Sequence, residues 1–177
     1  MNPNNWFTVW TFIIIATLLS IGFGNSVKNN RLPFKSSMAF SDRQRKFIQV
    51  WAKIALIIGV IIPIVMAIAF WERPMIRQFF SYYIVVVIVQ LSSEISFSRI
   101  LCKSVVVVIG TLYTGFRIWQ LWTGLPLMPD SQPWLSLFWL VGLFWVANLI
   151  MLFTLAIPSI LPESAINNQS TERSTDL

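Results

Sequence analysis

Five runs of apolar residues organise the chain, at positions 6–23, 51–71, 79–98, 104–122 and 134–157. Each approaches or exceeds the roughly 20 residues with which an α-helix crosses about 30 Å of hydrocarbon, a medium that cannot satisfy unpaired backbone groups. The pattern predicts an all-α, polytopic integral membrane protein with five transmembrane helices. The 44 residues from Phe79 to Trp122 are too many for one crossing, and the polar Ser96, Ser98, Arg99 and Lys103 divide them into a tight hairpin folded near residues 98 and 99.

Polar punctuation sharpens the limits. Ser41, Asp42, Arg43 and Gln44 form a capping-box pattern, so the second helix should start near residue 42 and run without a break into its apolar stretch. Pro63 lies inside that helix, where a missing amide hydrogen and a ring clash predict a bend. Glu72, Arg73 and Pro74 end it, and Pro74 suits the first turn of the next helix. Pro126, Pro129 and Pro133 keep the fourth connection non-helical, while Pro158 and Pro162 close the fifth helix. Residues 1–162 thus read as one five-helix transmembrane domain with a basic connecting segment at 24–50. The stretch 163–177 is polar, lacks apolar periodicity and is expected to be a disordered cytoplasmic tail.

Charge sets the orientation. Of the 177 residues only 11% are charged, yet 13 Lys and Arg against 7 Asp and Glu leave a net charge of +6. Lys28, Arg31, Lys35, Arg43, Arg45, Lys46 and Lys53 fall between Ser26 and Lys53 with one acid, Asp42, so this segment carries the whole excess. With Arg99, Lys103 and Arg173, ten of the thirteen basic residues stand on one side, leaving Arg73, Arg77 and Arg117 for the other. Short loops rich in Lys and Arg stay cytoplasmic, which predicts an N-out, C-in chain. Trp6, Trp10, Trp71, Trp119, Trp122 and Trp134 then gather at the outer interface, where indoles prefer to sit, against Trp51 at the inner one. A cleaved signal peptide would carry its positive charge ahead of the apolar run; here it follows, so the first segment reads as an uncleaved anchor.

Composition narrows the chemistry. The sequence has no histidine and one cysteine, which excludes His-ligated haem, His-containing metal sites, His-based triads and an intramolecular disulfide. No nucleophile stands with a base and no carboxylates pair at helical spacing, so the chain is not expected to be an enzyme. The polar candidates within the apolar runs are Gln90, Glu94, Arg117 and Asn148.

Gln90, Glu94 and Ser98 recur every fourth residue and share one helix face, with Ser93 beside them. Glu94 lies about 22 Å below Phe79, near the inner interface, where Lys103 across the hairpin and Lys53 make a structural ion pair available; an ion or ligand site is the competing reading. Arg117, about a turn and a half from the outer interface, is expected to snorkel to headgroups. Asn148 should seek another helix, and Gly110, Thr111, Thr114 and Gly115 mark a close-packing face.

The run Glu94-Ile95-Ser96-Phe97-Ser98-Arg99 resembles the light-harvesting and high-light-inducible chlorophyll-binding helices in its Glu-to-Arg spacing. That resemblance implies pigment ligation through Glu94, but Phe97 replaces the family's middle Asn or His and no second copy exists to pair with. The five crossings, size and Trp richness are similar to those of the tryptophan-rich sensory and translocator proteins. The resemblance implies porphyrin or lipophilic-ligand binding, although none of that family's motif residues can be placed on this chain.

The functional expectation is a small non-catalytic accessory subunit or assembly factor of a larger membrane complex, photosynthetic or respiratory, docking through the basic cytoplasmic loop. The alternative is a small transporter or lipophilic-ligand sensor that uses Gln90 and Glu94. Expected partners are anionic lipid, which attracts basic residues near the leaflet, and a larger integral complex or an acidic cytoplasmic protein. Nucleic acid is not expected, because topology already accounts for the charge. The membrane is either a plasma membrane or an energy-converting internal membrane such as the thylakoid.

Overall fold

The computed structural model describes residues 5–38 and 40–162. Among them there is no strand, and five helices are long and apolar enough to cross a membrane. They are α1 (Asn5–Lys28), α2 (Asp42–Ala69), α3 (Pro74–Ile100), α4 (Val105–Gly124) and α5 (Trp134–Ile160). The stretch 163–177, expected to be a disordered tail, lies outside the described residues.

Helix α2 starts where the capping box places it. The Gln44 backbone N–H donates to Ser41 Oγ at 3.3 Å, and the Ser41 N–H donates to Gln44 Oε1 at 2.9 Å, so two otherwise orphaned donors are satisfied reciprocally. The helix is continuous but not uniform. Residues Ile57–Ile61 form a π-helical turn in which the Ile62 N–H reaches back five residues to the Ile57 carbonyl. A second π turn, Leu152–Ala156, lets the Ile157 N–H reach the Leu152 carbonyl in α5. Both turns lie directly ahead of a proline, Pro63 and Pro158. A proline ring collides with the carbonyl four residues back, and a widened turn moves that carbonyl away. The disturbance expected at Pro63 is thus a π turn.

The hairpin of α3 and α4 is the centre of the bundle. Ten residues of α4 are buried, whereas the Asp42–Leu56 part of α2 buries none, so α4 is enclosed while α2 lies at the margin. One buried cluster joins α2, α3 and α5 through Met66, Phe80, Tyr83, Val141, Phe144 and Trp145. Another joins α1, α3 and α4 through Val9, Ile13, Ala16, Val86, Ile109 and Tyr113. At about 25 cal/mol per Å2, such aromatic and branched side chains contribute on the order of 2 kcal/mol each wherever water is the alternative surrounding.

The hairpin turns later than its sequence suggested. Helix α3 continues to Ile100 and α4 begins at Val105. Phe79 lies against Gly124, and Gly110 lies opposite Glu94, with a β-carbon on Gly110 standing 4.0 Å from Glu94 Oε1. Both pairs are symmetric about residues 101 and 102. Lys103 is therefore near the hairpin's tip, roughly two turns or about 10 Å from the level of Glu94. The small-residue face of α4 also divides. Gly110 and Thr114 are buried, whereas Thr111 is half-buried and a β-carbon on Gly115 would meet nothing within 4 Å. Residues four apart share a face and neighbours in sequence do not.

The basic connection between α1 and α2 is anchored to that same end of the bundle. The Lys35 N–H donates to the Ile160 carbonyl at 2.8 Å, and the Lys103 N–H donates to the Ser36 carbonyl at 3.1 Å. Ser104 Oγ donates to the Lys35 carbonyl. Lys28 Nζ reaches the Ile100 carbonyl at 3.2 Å, placing a cation at the carbonyl-rich C-terminus of α3.

Candidate functional site

One set of interior polar groups is assembled around a single carbonyl. Pro63 has no N–H to return to Gly59, four residues back, and the hydroxyl of Tyr83 on α3 donates to the Gly59 carbonyl instead, at 2.8 Å. Tyr83 is fully buried, and its oxygen also accepts from Trp145 Nε1 on α5 at 2.6 Å. The edge of the same indole occupies the space where a side chain at position 59 would begin, so Gly59 permits the contact. The ring of Trp145 in turn carries the Arg117 guanidinium of α4, whose central carbon lies 4.2 Å from the ring centroid and 5.9 Å from that of Tyr83. One run of contacts thereby links four helices.

A second polar group bridges helices one level away. Trp51 Nε1 on α2 donates to Asn148 Oδ1 at 2.8 Å, and Asn148 Nδ2 donates to Thr114 Oγ1 at 3.1 Å. Such interhelical bonds contribute about 0.6 kcal/mol on average in hydrocarbon, and their directionality fixes the rotation of each helix.

Arg117 does not snorkel. It is 2% exposed, and neither a hydrogen bond nor an ion pair to it is formed among the described residues; its Nε is buried without an acceptor. The expectation failed because α4 is the enclosed helix, so a side chain on this face points inward rather than to headgroups. Glu94 also departs from expectation. Neither Lys53 nor Lys103 pairs with it among the described residues; both are exposed, Lys103 near the hairpin tip and Lys53 on an outward face of α2. Its Oε1 instead accepts from Gln90 Nε2 at 2.5 Å. Ser98, on the same face, bonds locally to the Ile95 carbonyl.

These groups converge on a cavity of about 260 Å3 among α2, α3, α4 and α5. That is far above the roughly 10–15 Å3 one water requires on the same measure. Gln90, Glu94, Arg117 and Asn148 all line it, with Trp51 and Trp145 among its walls. All four polar candidates from the apolar runs thus face one space, although α3 supplies two of them and α4 and α5 one each. Trp145, Tyr83 and Gly59 had no distinguishing sequence signal except Pro63, which marks the Gly59 carbonyl as unpaired.

The cavity has a donor end and an acceptor end. Gly110 stands beside Glu94 and precedes Arg117 by seven residues, so the two charged side chains leave α4 and its neighbour at levels about 10 Å apart. Between them the walls are mostly apolar, including Val60, Val87 and Leu91, with Gln90 and Asn148 as the polar groups among them. Leu56 and Leu91 also belong to the outer surface, at 53% and 45% exposed, and the Asp42–Leu56 part of α2 buries no residue. The cavity therefore opens sideways between α2 and α3.

The seven basic candidates lie apart from this space. Lys28, Arg31, Arg43, Arg45, Lys46 and Lys53 are exposed and Lys35 is half-buried in the anchored loop. No three His, Cys, Asp or Glu side chains converge on a metal-sized site among the described residues. Comparison with protein-family models, with curated proteins and with solved structures finds no match to this chain.

Proposed function

We propose that this chain is a non-catalytic membrane protein that binds a small lipophilic ligand between its helices, as a sensor or carrier. The observation that carries the reading is Arg117. A cation removed from water is costly unless something pairs with it, and here the protein offers aromatic faces and a cavity in place of a carboxylate. Ionisable groups within membrane spans are functional by default when they face an interior space, and four polar side chains from three helices face this one. The orientation in this reading is N-out and C-in, from the basic loop between α1 and α2.

Native mass spectrometry of the protein extracted in mild detergent tests it. The wild type should carry a small-molecule adduct that the Leu91→Trp variant, which closes the cavity mouth, lacks. Leu18→Trp, on an exposed face of α1, should keep it. A bare wild-type mass, with no difference in thermal stability between the two variants in native lipid extract, refutes the proposal.

The accessory-subunit reading keeps one supporting observation, the exposure of Arg43, Arg45, Lys46 and Lys53 along a helix segment that buries no residue. Migration of the native protein in a larger complex, lost on reversing those charges to Glu, would support it.

A further inference from the structure

Ligand chemistry can be read from the two ends of the cavity, given the ligand-binding reading above. The Arg117 end offers a guanidinium with Nε unpartnered and no carboxylate paired to it among the described residues. A planar, permanently charged donor of this kind matches a carboxylate. The far end offers acceptors: the Glu94 carboxylate, held by Gln90 Nε2, and Gln90 Oε1, itself buried without a donor. The walls between are mostly apolar, with Gln90 and Asn148 among them, and the opening lies between Leu56 and Leu91, two exposed apolar side chains on helices long enough to span a bilayer.

We infer that the cavity takes a lipophilic carboxylic acid bearing a second, hydrogen-bond-donating group, admitted from the bilayer between α2 and α3, with its carboxylate on Arg117 and its donor toward Gln90 and Glu94. A carboxylic acid can travel through hydrocarbon in its neutral, protonated form and ionise beside the guanidinium, so the route avoids moving a bare charge through lipid. An aliphatic body fills the walls without competing for either end. A primary amine at the same place would set two cations against each other, and an ester would leave the guanidinium with a weaker, neutral acceptor.

The test is equilibrium binding of octanoic acid, ω-hydroxyoctanoic acid and methyl octanoate to the full chain in phosphatidylcholine nanodiscs, with empty nanodiscs subtracted. The acids should bind at least about tenfold more tightly than the ester, as expected for a charge-assisted pair against a neutral one. Arg117→Gln should erase that ratio, and Arg117→Lys should keep part of it. The ω-hydroxyl should add a further gain of about threefold that Glu94→Met removes. Equal binding of acid and ester, or an acid affinity unchanged by Arg117→Gln, overturns the inference. Should Arg117→Gln fail to fold, the acid-to-ester ratio of the wild type and the Arg117→Lys variant decides. Equal binding that Leu91→Trp still abolishes leaves the cavity reading standing and removes only the ligand class. Binding insensitive to Leu91→Trp, together with a bare native mass, removes both.

Discussion

The Tyr83 hydroxyl donates to the Gly59 carbonyl at 2.8 Å, and that carbonyl is the one Pro63 leaves without its helical partner. A local defect in one helix is thus completed by a side chain from another, and the same oxygen receives Trp145 Nε1. The bond joins proline chemistry in α2 to the aromatic wall that carries Arg117.

Tyr83→Phe should therefore cost more than one ordinary hydrogen bond. It leaves the Gly59 carbonyl and the Trp145 indole N–H both unpaired in a buried setting, a loss of about 1–3 kcal/mol. Unfolding by graded denaturing detergent measures it. Pro63→Ala restores a helical donor for Gly59 and should recover part of the loss in the double variant, whereas additive losses would show that the two positions are independent.

At Gly59 the obstacle is steric. A β-carbon there overlaps the Trp145 indole, so Gly59→Ala should displace that ring, lower stability by about 1–3 kcal/mol and shift the indole emission. Gly142→Ala, where a β-carbon meets nothing within 4 Å, should be neutral or stabilising by the helix preference for alanine. Equal effects at the two positions would contradict the close approach.

Asn148→Leu removes both interhelical bonds of the amide, to Trp51 and to Thr114. The expected loss is about 1–2 kcal/mol, and Thr114→Ala should lose less because the Trp51 bond survives. The same unfolding measurement ranks the two, and a larger loss for Thr114→Ala would overturn the assignment.

Arg117→Met should act in opposite directions on stability and binding. Burial of the unpaired cation costs several kcal/mol, while its cation–π contacts return about 2, so the ligand-free variant should gain about 1–2 kcal/mol. It should also lose the bound adduct. A destabilised variant that still binds would separate Arg117 from the site.

The proposed N-out, C-in orientation predicts a labelling pattern. In a Cys102→Ser background expressed at the plasma membrane, Ser131→Cys in the loop before α5 should react with an impermeant maleimide on intact cells. Ser37→Cys in the basic loop should react only after permeabilisation. The reverse pattern inverts the topology.

Much of the architecture was legible because a helix able to cross hydrocarbon must meet a set length and composition. The five apolar runs, the capping box at Ser41 and Gln44 and the disturbance at Pro63 all follow from local rules that act within one segment. The interhelical tendency of Asn148 was legible for the same reason, since an amide within a strongly apolar helix must find a partner. Its partners were not legible, because Trp51 and Thr114 are 97 and 34 residues away.

Register decided the rest. Folding α3 against α4 about residues 101 and 102, rather than 98 and 99, places Gly110 opposite Glu94 and moves Lys103 away from it, which dissolves the expected ion pair. The burial of α4 turns Arg117 from the headgroups to the aromatic faces of Trp145 and Tyr83. The sequence by itself determined the apolar helices and where their backbone is interrupted, since both are matters of local solvation and hydrogen bonding. Only the tertiary structure decided that Gln90, Glu94, Arg117 and Asn148 share one cavity, because helix rotation and register arise from side-chain packing between distant segments.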